Sequence, residues 1–270
     1  MEYRILGKTG ERVPVLGMGT WAMGNRSSRD ERAKEIEALR RGIELGMSLI
    51  DTAEIYGDGK SERIVAEAIS DRRDEVFVAT KVSPDHFNYD DMIRSCDTSL
   101  QNLSIKTIDL YQLHWPNPRI PIKETMRAME HLVSQGKIRY IGVSNFSVEQ
   151  TMEAQESLSK NEVSSNQVRY SLTSRSIENS LLPYCEKEKI TVIAYSPLDA
   201  GRLPQSRIPK EMLTKYNMTA AQLMLTWVVH KETVIAIPKA AQLKHLEENA
   251  EASNVRLSAV DYAQLLEIFG

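Results

Sequence analysis

Cysteine is almost absent: Cys96 and Cys185 are the only two in 270 residues. Each falls within a helical pattern, far from the other and from any close pair of histidines. A disulfide framework and a zinc knuckle are therefore excluded, and two core thiols remain. Glycine and proline number 13 and 10, too few for a fibrous repeat or an extended disordered tract. Long apolar runs are missing as well. Residues 223–229, interrupted by Thr226, and 234–238 fall far short of the roughly 20 residues of a membrane helix. The opening Met1-Glu2-Tyr3-Arg4-Ile5 lacks the apolar stretch of a secretory signal. A soluble, cytoplasmic protein with no membrane partner is expected. There is no excess of positive charge either: 34 basic against 37 acidic side chains leave a net charge of −3, which excludes nucleic acid as a partner.

What the chain has is alternation. Short β-branched runs at 15–17, 48–51, 76–81, 108–114, 140–144, 165–168, 191–196 and 234–237 alternate with amphipathic stretches. Successive runs lie about 30 residues apart, the size of one βαβ unit. Eight such units fit a closed parallel (β/α)8 barrel of the TIM type, spanning residues 1–270 as one domain. An open doubly wound sheet gathers its polar chemistry at one switch point. Here polar residues end strand after strand: Asp51, Lys81, His114, Ser144, Gln167, Ser196 and Lys239. Ahead of the first strand, Arg4-Ile5-Leu6 and Val13-Pro14-Val15 flank Gly7-Lys8-Thr9-Gly10, which predicts an N-terminal β-hairpin plugging the opposite mouth. Ser28 with Glu31 predicts a capping box, Gly46 a C-terminal cap, and Ala33, Ile36, Leu39 and Ile43 the buried stripe of the first helix. Residues 90–103 repeat that pattern, and Ser258 with Asp261 begins a short C-terminal helix.

Two nucleotide-binding look-alikes fail on context. Gly17-Met18-Gly19-Thr20-Trp21-Ala22 fits a permissive dinucleotide fingerprint, but no helix opens directly after it, and Asp51 lies well beyond the ~20 residues expected of a ribose-binding acid. Gly59-Lys60-Ser61 imitates the end of a phosphate loop, yet Glu54 stands where its first glycine belongs. Ser61 is read instead as N-cap of a helix over 62–70, with Glu62 in its first turn.

Four residues stand at or just beyond the ends of three consecutive strands: Asp51 and Tyr56, Lys81, and His114. Taken singly, each has a structural explanation, such as an ion pair, a loop tyrosine or a rim imidazole. Neighbouring parallel strands lie about 4.8 Å apart, so the four can share one pocket. The chemistry they suit is proton donation to an oxygen that gains negative charge. Tyrosine, with a pKa near 10, needs roughly 3 units of help, about 4 kcal/mol, to serve as an acid at neutral pH. Lys81 beside it would supply that help, Asp51 would keep Lys81 charged, and His114 would orient the substrate oxygen. No nucleophile with a base, carboxylate pair or metal-ligand cluster shares this face, so no metal is expected.

Leu16-Gly17-Met18-Gly19-Thr20-Trp21, Asp51-Thr52-Ala53-Glu54-Ile55-Tyr56-Gly57, Ala79-Thr80-Lys81, Leu113-His114-Trp115-Pro116, Gly142-Val143-Ser144-Asn145-Phe146, Asn166-Gln167, Tyr195-Ser196-Pro197-Leu198 and Ile237-Pro238-Lys239 together resemble the aldo-keto reductase family, from residue 3 to about 252. The resemblance implies a barrel that binds NADPH and reduces an aldehyde or ketone by hydride transfer. Tyr56 would be the general acid, Lys81 and Asp51 its tuners, and His114 the carbonyl-orienting group. Ser144, Asn145 and Gln167 would hold the nicotinamide amide, and Tyr195 would stack on its ring. Gly19 and Thr20 would lie at its ribose, and Ser196 and Leu198 along the pyrophosphate. Trp21 and Trp115 would line the substrate mouth.

Departures from the family pattern lie around the adenosine phosphate. Lys239 keeps the cation for a 2′-phosphate, but Ala240 replaces a common Ser and His245 a common Arg, with Lys244 nearby. Glu248 and Asn249 match adenine-contacting positions. NADPH is expected to bind more tightly than NADH. Residues 199–209 are read as a loop over the cofactor. The sequence ends at Phe269-Gly270 without the long tail of many relatives, which implies an open pocket. Some members of the family serve as cofactor-binding regulatory subunits of channels. The complete set Asp51, Tyr56, Lys81 and His114, with no extension ahead of the barrel, argues against that role. Oligomeric state is not legible, and a monomer is plausible.

Overall fold

The computed structural model describes residues 1–25, 28–202, 205–240 and 242–269. Strands β1 (Tyr3–Ile5) and β2 (Arg12–Pro14) pair antiparallel. The turn between them uses Gly7 and Gly10 at φ +53° and +76°, which glycine reaches without penalty. Leu6 and Val13 pack on Leu49, Phe77, Leu110 and Ile235, residues near the N-terminal ends of their strands. The hairpin therefore plugs the barrel floor, as its sequence predicts.

Eight parallel strands follow: β3 (Met18–Gly19), β4 (Leu49–Asp51), β5 (Phe77–Val82), β6 (Ile108–Leu113), β7 (Ile138–Ser144), β8 (Val163–Arg169), β9 (Thr191–Tyr195) and β10 (Val234–Ala236). Each pairs with the next in sequence. The ring closes through backbone bonds from Ala236 N to Val15 O and Gly17 N to Ala236 O, both 2.8 Å, and Gly19 N to Pro238 O, 3.2 Å. Close approach of both neighbouring strands explains the glycine pair. A Cβ at Gly17 would lie 2.7 Å from Leu49 O, and one at Gly19 2.8 Å from Ile237 O. Regular pairing in the first strand begins at Met18, beyond the predicted 15–17, because residues 15–17 make the seam with β10.

Helices cover the barrel: α1 (Arg29–Glu44), α2 (Lys60–Ile69), α3 (Tyr89–Leu103), α4 (Ile122–Ser134), α5 (Val148–Glu156), α6 (Leu181–Glu188), α8 (Ala220–Val228) and α9 (Leu243–Glu251). Two more, α7 (Lys210–Tyr216) and α10 (Ala259–Phe269), are additions. Ser28 Oγ accepts from Glu31 N at 3.2 Å, and Gly46 ends α1 at φ +86°. The buried face of α1 is Glu35, Ala38, Leu39, Gly42 and Ile43, with Ala33 exposed. It is rotated from the predicted stripe because Gly42 nests against Met18 and Glu35 accepts from Gly24 N. Ser61 is not the cap of α2. Gly59, at φ +74°, begins that helix, and the buried Ser61 hydroxyl donates to Thr20 Oγ1 at 2.8 Å. Glu62 is also buried, accepting from Thr80 and Asn102. Ser258 starts α10 by accepting from Asp261 N. Cys96 and Cys185 lie in the core, where burial pushes both thiols up to about 12.

Candidate active site

The C-terminal ends of β4 to β9 bring the predicted residues together. Asp51 is the last residue of β4 and Lys81 the penultimate one of β5, while His114 follows β6 directly, its N–H bonded to Val82 O. Tyr56 stands in a turn stitched onto β5 through Thr52 N to Ala79 O and Glu54 N to Lys81 O. The Glu54 carboxylate fixes that turn further, accepting from Ser83 N at 2.5 Å and Ser95 Oγ and meeting His86 Nδ1 at 2.8 Å.

Lys81 is fully buried, and its ammonium reaches Asp51 Oδ1 at 2.5 Å, Thr52 O at 2.9 Å and the Tyr56 hydroxyl at 3.4 Å. Burial opposes the charge, but the carboxylate of Asp51 and the neighbouring phenol together hold the Lys81 pKa above its ordinary value. For Tyr56 the balance runs the other way. Its desolvation outweighs the pull of Lys81, so the phenol in the free protein lies above its ordinary pKa. The sequence argument expected Lys81 to lower it. Lys81 does act in that direction, against a burial cost that composition could not reveal.

The His114 ring meets Tyr56 edge-on, centroids 5.7 Å apart, and stacks on Trp115 at 3.8 Å. Burial, with Lys81 adding to it, depresses its pKa to about 3, so the imidazole is neutral at physiological pH. Its Nδ1 is buried and has no partner among the described residues. Trp21 and Trp115 expose 65% and 42% of their surfaces, in keeping with a place at an open mouth.

A polar network continues across β7 to β9. Ser144 Oγ donates to Gln167 O at 2.9 Å. Asn145, at φ +61°, donates to His114 O at 3.1 Å and to Ser144 Oγ at 3.0 Å. Tyr195 OH donates to Asn145 Oδ1 at 3.0 Å. The Gln167 amide points at Asp51 Oδ2, 2.8 Å away. Gln112 does the same at 3.1 Å. Sequence reasoning missed Gln112 and Glu54. The signal for Gln112 was available, since Asp109 and Gln112 are the two polar side chains in an otherwise apolar, wholly buried strand.

The remaining predicted residues stand outside this network. Gly19 and Thr20 are buried, and the Thr20 hydroxyl donates to Asp51 O and accepts from Ser61 Oγ. Ser196 adopts φ +50° and Leu198 packs on the core. Lys239, just beyond β10, is exposed without a partner among the described residues. On α9, His245 Nδ1 faces Glu248 at 3.3 Å, Lys244 lies 3.9 Å from the same carboxylate, and Asn249 is buried. In 199–209, residues 203 and 204 are outside the described set; Asp199 pairs with Arg169. Among the described residues, no group of three or more His, Cys, Asp or Glu is placed to hold a metal, and no helix is long and apolar enough to cross a membrane.

Comparison with known proteins extends this picture. Residues 15–269 match the model of the Aldo/keto reductase family. Methylglyoxal reductase YeaE of Escherichia coli is 43% identical over 258 residues, covering 94% of this chain and 90% of that protein. Glyoxal reductase of Bacillus subtilis is 32% identical over 254 residues, 93% and 87% of the two chains. The structure of an aldo-keto reductase from Klebsiella pneumoniae in complex with NADPH superimposes with a TM-score of 0.93 at 40% identity, covering 100% of this chain and 96% of that one.

Proposed function

We propose that this chain, which belongs to the aldo/keto reductase family, reduces short reactive aldehydes, 2-oxoaldehydes such as methylglyoxal foremost, with NADPH as the reductant and Tyr56 as the general acid. The observation that carries the reading is Lys81 Nζ between Asp51 Oδ1 and the Tyr56 hydroxyl. The names of its methylglyoxal- and glyoxal-reducing relatives support the substrate class. In this reading residues 1–270 work as one domain.

The donor set suits the cofactor. A carboxamide needs donors and acceptors together, and Ser144, Asn145 and Gln167 offer a hydroxyl and two amides on adjacent strand ends. Tyr195 is half-buried beside them, its hydroxyl tied to Asn145, which leaves an aromatic face for a flat ring. Ser196 and Leu198 would follow the pyrophosphate. Lys239 would meet a 2′-phosphate, with His245, Glu248 and Asn249 at the adenosine. Thr20, its hydroxyl already satisfied, would act by supporting Asp51 and Ser61 in place of a ribose contact. When bound, NADPH supplies a hydride to the carbonyl carbon.

The protein's own groups handle the proton. As the carbonyl oxygen gains charge, Tyr56 OH transfers its proton there, and Lys81 stabilises the phenolate left behind. Asp51 keeps Lys81 charged and fixed. Neutral His114, with a pKa of about 3, has no second proton to give at neutral pH, so its part is to hold the oxygen by a hydrogen bond. Trp21 and Trp115 flank the mouth. The test is NADPH oxidation by the purified protein with methylglyoxal, glyoxal and larger ketones. Fastest turnover with the two dicarbonyls supports the reading; no NADPH oxidation with any carbonyl overturns it.

A further inference from the structure

Gln112 stands on β6 between Lys81 of β5 and Gly142 of β7 in the strand ladder. Its side chain is wholly buried, and Gly142 makes the room, since a Cβ there would fall 2.9 Å from Gln112 Cγ. A buried amide is costly unless its polar atoms are met. Here Nε2 donates to Asp51 Oδ2 at 3.1 Å, and Oε1 accepts from Gln167 Nε2 at 3.2 Å. Asp51 thus carries Lys81 on one oxygen and two amides on the other. The two amides differ in position. Gln167 lies beside Ser144, where the cofactor amide would engage it, whereas Gln112 is enclosed by three strands.

We propose that Gln112 is a positioning residue: it holds the second oxygen of Asp51, so that the carboxylate stays aligned on Lys81 when Gln167 turns to the cofactor. The inference rests on Tyr56 acting as general acid. A hydrogen bond to a carboxylate draws off part of its charge. Without it, Asp51 weighs more heavily on the Tyr56 phenolate, and the phenol becomes a weaker acid. The groups facing Tyr56 are Asp51 from β4, Lys81 from β5, His114 after β6 and Tyr195 from β9; a substitution at Gln112 replaces none of them, and among them it bonds only Asp51.

Gln112→Met keeps the volume and removes the amide. Single-turnover NADPH oxidation, followed from about pH 6 to about pH 12 so that the range reaches beyond the ordinary phenol pKa, should slow about 3- to 10-fold. The alkaline limb, where Tyr56 loses its proton, should move to higher pH. The same substitution should have no further effect in an Asp51→Asn background, because Gln112 acts through Asp51. A slower rate with the limb unmoved, or an equal loss in the Asp51→Asn background, overturns the proposal. Should Gln112→Met not fold, side-chain amide NMR of the unsubstituted protein reads the same bond. The Gln112 Nε2 proton should resonate downfield and move on Asp51→Asn, and an unmoved resonance overturns the proposal. Tyr56→Phe separates the two readings: turnover retained there refutes the general acid itself, whereas an inactive Tyr56→Phe beside a Gln112→Met identical to wild type refutes only the role of Gln112.

Discussion

Lys81 Nζ lies 2.5 Å from Asp51 Oδ1, and both side chains are withdrawn from solvent. Two charges in a barrel interior attract strongly, but each loses its hydration, so such a pair contributes little net stability while its rupture is expensive. Its value here is positional, since it maintains a cation 3.4 Å from the Tyr56 hydroxyl. Lys81→Met should therefore do two things. The rate of carbonyl reduction should fall by at least ~10², and urea unfolding should reveal a loss of about 3 to 5 kcal/mol from the stranded Asp51. Adding Asp51→Asn should recover much of the stability and none of the rate.

His114 gives a pH signature. Its pKa of about 3 in the folded chain lies below the ordinary value near 6.5. The unfolded chain therefore binds this proton first, and stability present above about pH 6.5 is lost as the pH falls toward 3. Between pH 7 and pH 5 the contribution is up to about 2 kcal/mol. Denaturant midpoints for wild type and His114→Gln at the two pH values measure it: the acid-side loss should shrink in the variant. The reduction rate at saturating NADPH should also run through about pH 6.5 without a break, because His114 does not titrate there.

Lys239 has no ion-pair partner among the described residues, so none of their carboxylates competes with a phosphate for it. A charge-assisted hydrogen bond is worth about 1.5 to 3 kcal/mol, or roughly 10- to 150-fold in affinity. Lys239→Ala should weaken NADPH by an amount in that range and leave NADH nearly unchanged in a fluorescence titration. His245, exposed and facing Glu248, should add a smaller contribution.

The barrel was legible because its evidence is periodic: β-branched runs at regular spacing, each ended by a polar residue, do not fit an open sheet. The grouping of Asp51, Tyr56, Lys81 and His114 was legible because strand ends converge. What escaped depends on which way a side chain points after folding. Ser61 reads as a cap but is drawn inward by Thr20. Gln167 stands at the end of its strand, and the reach of its amide across the barrel to Asp51 is visible only in the fold. Gln112 looks like one polar residue in a strand until the ring brings β4 and β8 within its reach. The elevated pKa of Tyr56 likewise reflects burial, which no local pattern encodes.

The central claim is that Tyr56 delivers the proton to the carbonyl oxygen. Tyr56→Phe removes that proton and almost no volume, leaving Lys81, Asp51 and His114 in place. Single-turnover reduction of methylglyoxal by the NADPH-loaded variant measures the consequence most directly. The rate should fall by ~10² to 10⁴ with NADPH affinity unchanged within about twofold, whereas hydride transfer at close to the wild-type rate would contradict the assignment.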